Sequence, residues 1–254
     1  MRIVVCVKRV PDINSDRRIE GGRVVRGPED VLNELDENAV EAAVSLAEQV
    51  GGTVTALTMG PPAAVDALRR ALQMGADDAV LVSDERLAGS DVVATARVLG
   101  AAITRLGDVD AVVTGMATMD GLTSMLPDAL AAVLSLPALT LAASVECDGR
   151  TLRVTRTLGD AVETWATDLP ALLSVTDQAN QPRIPNFRTM TAARRKPVAT
   201  WGLDDLGLDA VDLRPAVALL DARRRPLRRE GVIVTDTGDG GRRLAAWLAE
   251  KGVV

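Results

Sequence analysis

Short apolar runs, each followed by a helical repeat, recur from the first residue to about residue 140, and no other feature limits the fold so tightly. Arg2-Ile3-Val4-Val5-Cys6-Val7 reads as a strand buried on both faces of a parallel sheet. After a polar loop, with Glu20-Gly21-Gly22-Arg23 as a hairpin tip, Leu32-Asn33-Glu34-Leu35 leads into a helix. Asp36 is the expected N-cap there, and Val40, Ala43, Val44 and Leu46 form the buried face. Thr53 to Met59 is a second strand, stopped by Gly60-Pro61, and Ala63 to Met74 a helix closed by Gly75. Asp78 to Val82, Asp110 to Thr114 and Ala138 to Ser144 are further strands. Helices at Asp91 to Leu106 and Asp128 to Leu136 separate them. Short connections between such elements lead to an α/β fold, an open, doubly wound parallel sheet of 3-2-1-4-5 type.

The pattern changes after Leu141. Ala143 to Arg156 alternates around Asp148-Gly149, the signature of an inserted β-hairpin, with Val162 to Ala166 as a third strand. Pro170 to Val175 is an apolar strand suited to the main sheet. Beyond Asn180 periodicity fades: Pro182 and Pro185 keep the chain extended, Thr189 to Lys196 is a short basic helix, and Arg242 to Lys251 a final amphipathic one. The expected division is an α/β nucleotide-binding domain over 1–179, with its hairpin near 143–166, and an extended C-terminal arm over 180–254. An arm with so little core of its own suits the surface of another subunit. Trp165, Trp201 and Trp247 are expected to be packing residues, and Arg223 to Arg225 with Arg228-Arg229 solvated or ion-paired.

Composition narrows the chemistry. There is no histidine, which removes the Ser-His-Asp triad, Cys-His nucleophiles and most zinc sites. A net charge of −6 and 2% aromatic residues argue against nucleic acid. Cys6 and Cys147, with no signal-peptide pattern before them, suit a reducing, cytoplasmic setting. No apolar stretch approaches a membrane span. Binding is therefore expected rather than catalysis, with no catalytic residue and no metal.

In an open α/β sheet, ligands sit beyond the C-terminal strand ends where strand order reverses. Here that crevice is flanked by Cys6-Val7-Lys8 and by Gly115 to Leu126, with Asn33 to Asp36 and Met59-Gly60-Pro61 on its rim. Gly115 to Leu126 joins a strand to a helix through Gly, Asp, Thr and Ser, a pattern that also serves phosphate. It equally describes an ordinary turn with Thr123 or Ser124 as N-cap. Asp120 suits capping, accepting from a ribose, or turning the chain. Lys8-Arg9-Val10-Pro11 lacks the glycines of a dinucleotide fingerprint, so a mononucleotide is favoured over NAD.

Val7 to Asp12, Asn33 to Glu41, Met59-Gly60-Pro61, Ala71 to Asp77, Asn180 to Arg183 and Ala192 to Lys196 resemble the electron transfer flavoprotein β subunit. So does the segment from Val154-Thr155-Arg156 through Asp160, Glu163 and Pro170 to Leu172-Leu173-Ser174. The resemblance runs through the whole chain in order. It implies a heterodimer in which an α subunit carries FAD and this chain, a non-catalytic subunit of an electron carrier, holds a structural AMP. By position the nucleotide contacts fall on Cys6, Asn33, Glu34, Leu35, Asp36, Met59, Gly115, Asp120, Gly121, Thr123, Ser124, Met125 and Leu126. Base and ribose lie against Cys6 and the Asn33 loop, and phosphate meets N–H groups around Thr123 to Leu126.

Many relatives carry an acidic residue at Leu122 and Gln at Met125, and an aromatic at Ile13 and Leu35; these handles are absent here. Phe187 aligns with an anchor for partner dehydrogenases, with Arg188, Met190, Arg194 and Arg195 beside it. The alternative is that Phe187 only packs its loop. Other functional alternatives are a bifurcating β subunit with a second FAD in place of AMP, and an AMP- or ATP-binding stress-type module. The family reading has electrons pass from dehydrogenases to a membrane or other acceptor, with no direct membrane insertion.

Overall fold

In a computed structural model the chain is described at all residues except 16–17, 21–22, 210–212, 218, 224–225, 227–230 and 232, and except the side chain of Arg23. It divides into two compact units, Met1–Ala222 and Arg223–Val254.

The first unit is built on seven parallel strands. In chain order these are β1 (Arg2–Cys6), β6 (Thr53–Met59), β7 (Asp78–Val82), β8 (Ala111–Gly115), β9 (Ala138–Ala142), β13 (Ala171–Val175) and β14 (Ala199–Trp201). Across the sheet the order is β14-β7-β6-β1-β8-β13-β9. The central 3-2-1-4 order is the expected one; β13 inserts between β8 and β9 and moves the fifth strand to the edge. Ala-Leu-Leu-Ser-Val is buried throughout, so it needs a neighbour on each side.

Helices α1 (Glu34–Val50) and α2 (Val65–Met74) cover one face of the sheet, α3 (Val92–Leu106) and α4 (Leu126–Leu134) the other. Gly75 ends α2 at φ +123°, where a Cβ would stand 3.0 Å from Val44 Cγ1. The inserted β-structure is a three-stranded antiparallel sheet of β10 (Ser144–Cys147), β11 (Thr151–Leu158) and β12 (Ala161–Asp168), turning at Gly149 with φ +93°. Trp165 on β12 is half exposed rather than packed away, lying 5.2 Å from the Arg156 guanidinium. Two small pairings, β2 (Arg9–Val10) with β5 (Val31–Leu32) and β3 (Ile19–Glu20) with β4 (Arg23–Val24), shape the polar loop. Glycines 21 and 22 of the expected hairpin tip lie outside the described residues.

The expected boundary at residue 179 moves. Residues 180–209 lie on the chain's own body: α5 (Phe187–Arg195) packs on α2, and β14 extends the sheet beside β7. Leu203 and Leu213 are buried with α3. Arg105 stacks 5.0 Å over Trp201. The second unit holds α6 (Gly240–Glu250), preceded by Asp236, whose carboxylate accepts the N–H groups of Gly238 and Gly240. None of its helical residues is buried, and Leu244 and Trp247 are exposed. Of the arginines expected to be solvated, 224, 225, 228 and 229 lie outside the described residues.

Candidate functional site

Strand order reverses between β1 and β8, and the C-terminal ends of these strands carry the expected crevice residues. Cys6 ends β1 and is buried. On the α3/α4 face its neighbour is Thr114, each lying one residue beyond the paired Val5 and Val113. The Thr114 hydroxyl is buried with no hydrogen-bond partner among the described residues.

On the other face the start of α1 presses into the reversal. Asn33, not Asp36, is the N-cap residue, and it is fully buried. Its side chain makes no cap bond and serves the loop after β8: Nδ2 donates to Ala117 O at 3.0 Å and Oδ1 accepts from Met119 N at 2.9 Å. Asp36, buried in the first turn of α1, accepts the Lys8 N–H at 2.8 Å. Its Oδ1 and the Leu35 carbonyl would stand 2.5 and 2.7 Å from a Cβ on Gly115, so β8 ends on glycine because a helix lies against its backbone.

Burial pushes the Asp36 carboxyl up to about 7; the Asn33 and Lys8 hydrogen bonds and the Lys8 charge oppose that rise, and Asp120 adds to it. Burial, with the Asp36 charge behind it, raises the Cys6 thiol to about 12, so Cys6 lines the crevice as a neutral thiol.

Asp120 completes an ion triad across the crevice. Its side chain is largely buried and accepts from Lys8 Nζ at 3.0 Å and from Arg26 Nη2. Burial alone would raise this carboxyl, but the Lys8 charge and hydrogen bonds from Thr118, Lys8 and Arg26 hold it below its ordinary range. Arg26 also donates to Arg9 O at 2.9 Å, so the polar loop is strapped to the β8–α4 loop. The sequence reading missed Arg26: nothing local distinguishes it from its neighbours. Lys8, directly after the first strand, was the available signal. Asp120→Asn is expected to weaken this strap and speed amide exchange in residues 24–28 at least tenfold; unchanged exchange would remove the triad's bridging role.

The rest of the loop is open. Gly121, Thr123, Ser124 and Met125 are exposed, while Met59, Leu35 and Leu126 are half-buried and Glu34 is exposed. Neither Thr123 nor Ser124 caps α4; the cap position is Met125, which makes no side-chain cap bond, and Pro127 supplies the rigid first turn. Leu122 and Ser124 adopt left-handed backbone with φ of +50° and +52°, and Met125 is right-handed. A left-handed residue followed by a right-handed one turns successive N–H groups to one side, an arrangement suited to an anion.

The residues expected to dock dehydrogenases lie elsewhere. Phe187 opens α5 and is 85% exposed, with Arg188, Met190, Arg194 and Arg195 also on the surface. Among the described residues no group of three or more His, Cys, Asp or Glu could hold a metal, and no helix is long and apolar enough to cross a membrane.

Residues 22–206 match the electron transfer flavoprotein domain. The chain is 34% identical to electron transfer flavoprotein subunit beta of Mycobacterium tuberculosis H37Rv, over 99% of each protein. It belongs to the electron transfer flavoprotein β-subunit family. The same-named subunit of Clostridium acetobutylicum is 36% identical over 84% of this chain and 83% of its own length. Subunit CarD of the caffeyl-CoA reductase–Etf complex of Acetobacterium woodii is 36% identical over 82% and 80%.

Proposed function

We propose that this β subunit pairs with an FAD-carrying α subunit, holds AMP in the β1/β8 crevice, and docks the flavin dehydrogenases that supply its electrons. The observation carrying the nucleotide assignment is the unpartnered Thr114 hydroxyl near the end of β8, followed in the chain by a loop whose Ser124–Met125 backbone gathers N–H donors. Left-handed backbone at Leu122 and Ser124 is strained for side-chain-bearing residues, and such strain is a mark of binding loops.

The residues present fit a nucleotide monophosphate. The exposed Thr123 and Ser124 hydroxyls and the first-turn donors of α4 would hold the phosphate, with Pro127 contributing none. Asp120, the carboxylate in that loop, is neutralised by two cations and does not repel it. Cys6, Met59 and the Asn33 loop would face the base and ribose. The relatives' polar handles at positions 122 and 125 are apolar here, so backbone donors carry more of the binding. FAD, bound mainly by the partner, supplies the redox chemistry; this chain positions and docks.

Acid extraction of the purified heterodimer is expected to release one AMP and one FAD. Two FAD and no AMP would replace this reading with the bifurcating one. A self-sufficient homodimer that exchanges ATP would replace it with the stress-type module.

For docking, Phe187→Ala should raise the KM for the reducing dehydrogenase roughly tenfold or more, the range of an exposed aromatic anchor, with FAD content unchanged. Loss of FAD together with docking would make Phe187 a structural residue.

A further inference from the structure

The segment that presents Phe187 is fastened at both ends to the body, and the fastenings are unlike ordinary surface ion pairs. Before the segment, Arg183 grips two glutamates two helical turns apart on α1. Its Nε and Nη2 donate to Glu41 at 2.7 and 3.0 Å, while Nη1 and Nη2 donate to Glu48 at 2.8 and 3.0 Å. The Arg183 backbone N–H also donates to Glu41, at 3.0 Å. One guanidinium bound bidentately by two carboxylates fixes both the position and the plane of the side chain.

At the far end Arg69 of α2 reaches the last carbonyls of α5, donating from Nη1 to Ala193 O at 3.1 Å and to Lys196 O at 2.6 Å. Lys196 returns a bond from Nζ to Ala76 O at 2.7 Å. Between these anchors, Asn186 and Thr189 form a reciprocal capping box around the first turn of α5, the turn that bears Phe187. Ile184 and Phe187, at 89% and 85% exposure, are thus held out in water on a stiff mount. An apolar side chain that served only to fold its loop would turn inward, as Ala193 does.

We propose that Arg183 and Arg69 are positioning residues for dehydrogenase docking, which they serve by pre-organising the Phe187 turn; this rests on the docking reading above. Pre-organisation removes part of the ordering cost of association, so its loss weakens binding without touching electron transfer within the bound complex.

The test uses the αβ heterodimer with its reducing dehydrogenase. Arg183→Met and Arg69→Met should each raise KM about three- to tenfold, with kcat and FAD content unchanged and faster amide exchange confined to residues 184–192. Arg183→Lys, which keeps the charge but not the fork, should fall between wild type and Arg183→Met. Should Arg183→Met fail to assemble, Glu48→Gln removes one of the two carboxylates and should give a smaller rise of the same kind. Phe187→Ala separates the two ideas. If it raises KM and the arginine variants do not, the mount is overturned and docking stands. If Phe187→Ala itself leaves KM unchanged, the docking reading fails first. A fall in kcat with KM unchanged in the arginine variants would also overturn the proposal.

Discussion

Gly115→Ala is expected to be the most damaging single-methyl change in the crevice. The new Cβ would stand 2.5 Å from Asp36 Oδ1, 2.7 Å from Leu35 O and 2.9 Å from Leu35 C. A side-chain contact alone could relax, but two of these atoms are backbone, so the first turn of α1 must move. That turn is tied down by the Lys8 N–H on Asp36 and by Asn33 on the 117–119 segment. Overpacking of this kind costs about 1–3 kcal/mol, and here the upper part of that range applies. For a chain of this size it corresponds to a melting-temperature fall of roughly 5–10 °C. Because the displaced turn lines the crevice, AMP recovered per heterodimer should fall as well. Denaturation curves and nucleotide extraction measure the two effects, and an alanine variant as stable as wild type would contradict the close approach.

Asp36→Asn carries the second large effect, visible only as a function of pH. The folded carboxyl titrates near 7 against an ordinary 3.8, so between those values the folded state binds more proton than the unfolded one. Stability from this group is therefore highest below pH 4, falls as pH rises, and levels off above 7. Its upper limit is about 4 kcal/mol, since each tenfold change in proton affinity is worth about 1.4 kcal/mol. Asparagine keeps an acceptor for the Lys8 N–H and cannot ionise. The variant should then gain on wild type as pH rises, by some 2–3 kcal/mol between pH 5 and pH 8.

Other carboxylates work the opposite way. Burial would raise Glu41, but Arg183 and Ser45 hydrogen bonds hold it below its ordinary 4.5, and Arg86 holds Asp84 well below the carboxylate range. Their contributions are lost only in acid, so the difference between variant and wild type from pH 5 to 8 isolates Asp36. A difference that does not change with pH would dispose of the buried-carboxylate account.

Much of the central sheet was legible because β1, β6, β7 and β8 are each an apolar run of their own. β14 was not: Ala-Thr-Trp between a proline and a glycine has no period, and it is a strand only because β7 offers an unpaired edge. The cap of α1 shows the same limit. Asp36 and Asn33 are equally good capping residues by local preference. Asp36 sits inside the helix, where it serves an N–H 28 residues earlier in the chain, and Asn33 holds a loop 84 and 86 residues later. The two arginine anchors of the Phe187 segment reach partners more than 100 residues away, beyond anything spacing can reveal.

The amino-acid order alone determined the α/β class, the reversal of strand order that makes the crevice, and the family. Each of these follows from hydrophobic periods and short motifs, which are local properties of the chain. The tertiary structure decided where the arm begins, that Asp120 bridges Lys8 and Arg26 across the crevice, and that Phe187 stands on a clamped mount. Those features depend on charges and backbone edges brought together across the fold, and such meetings exist only once the sheet has formed.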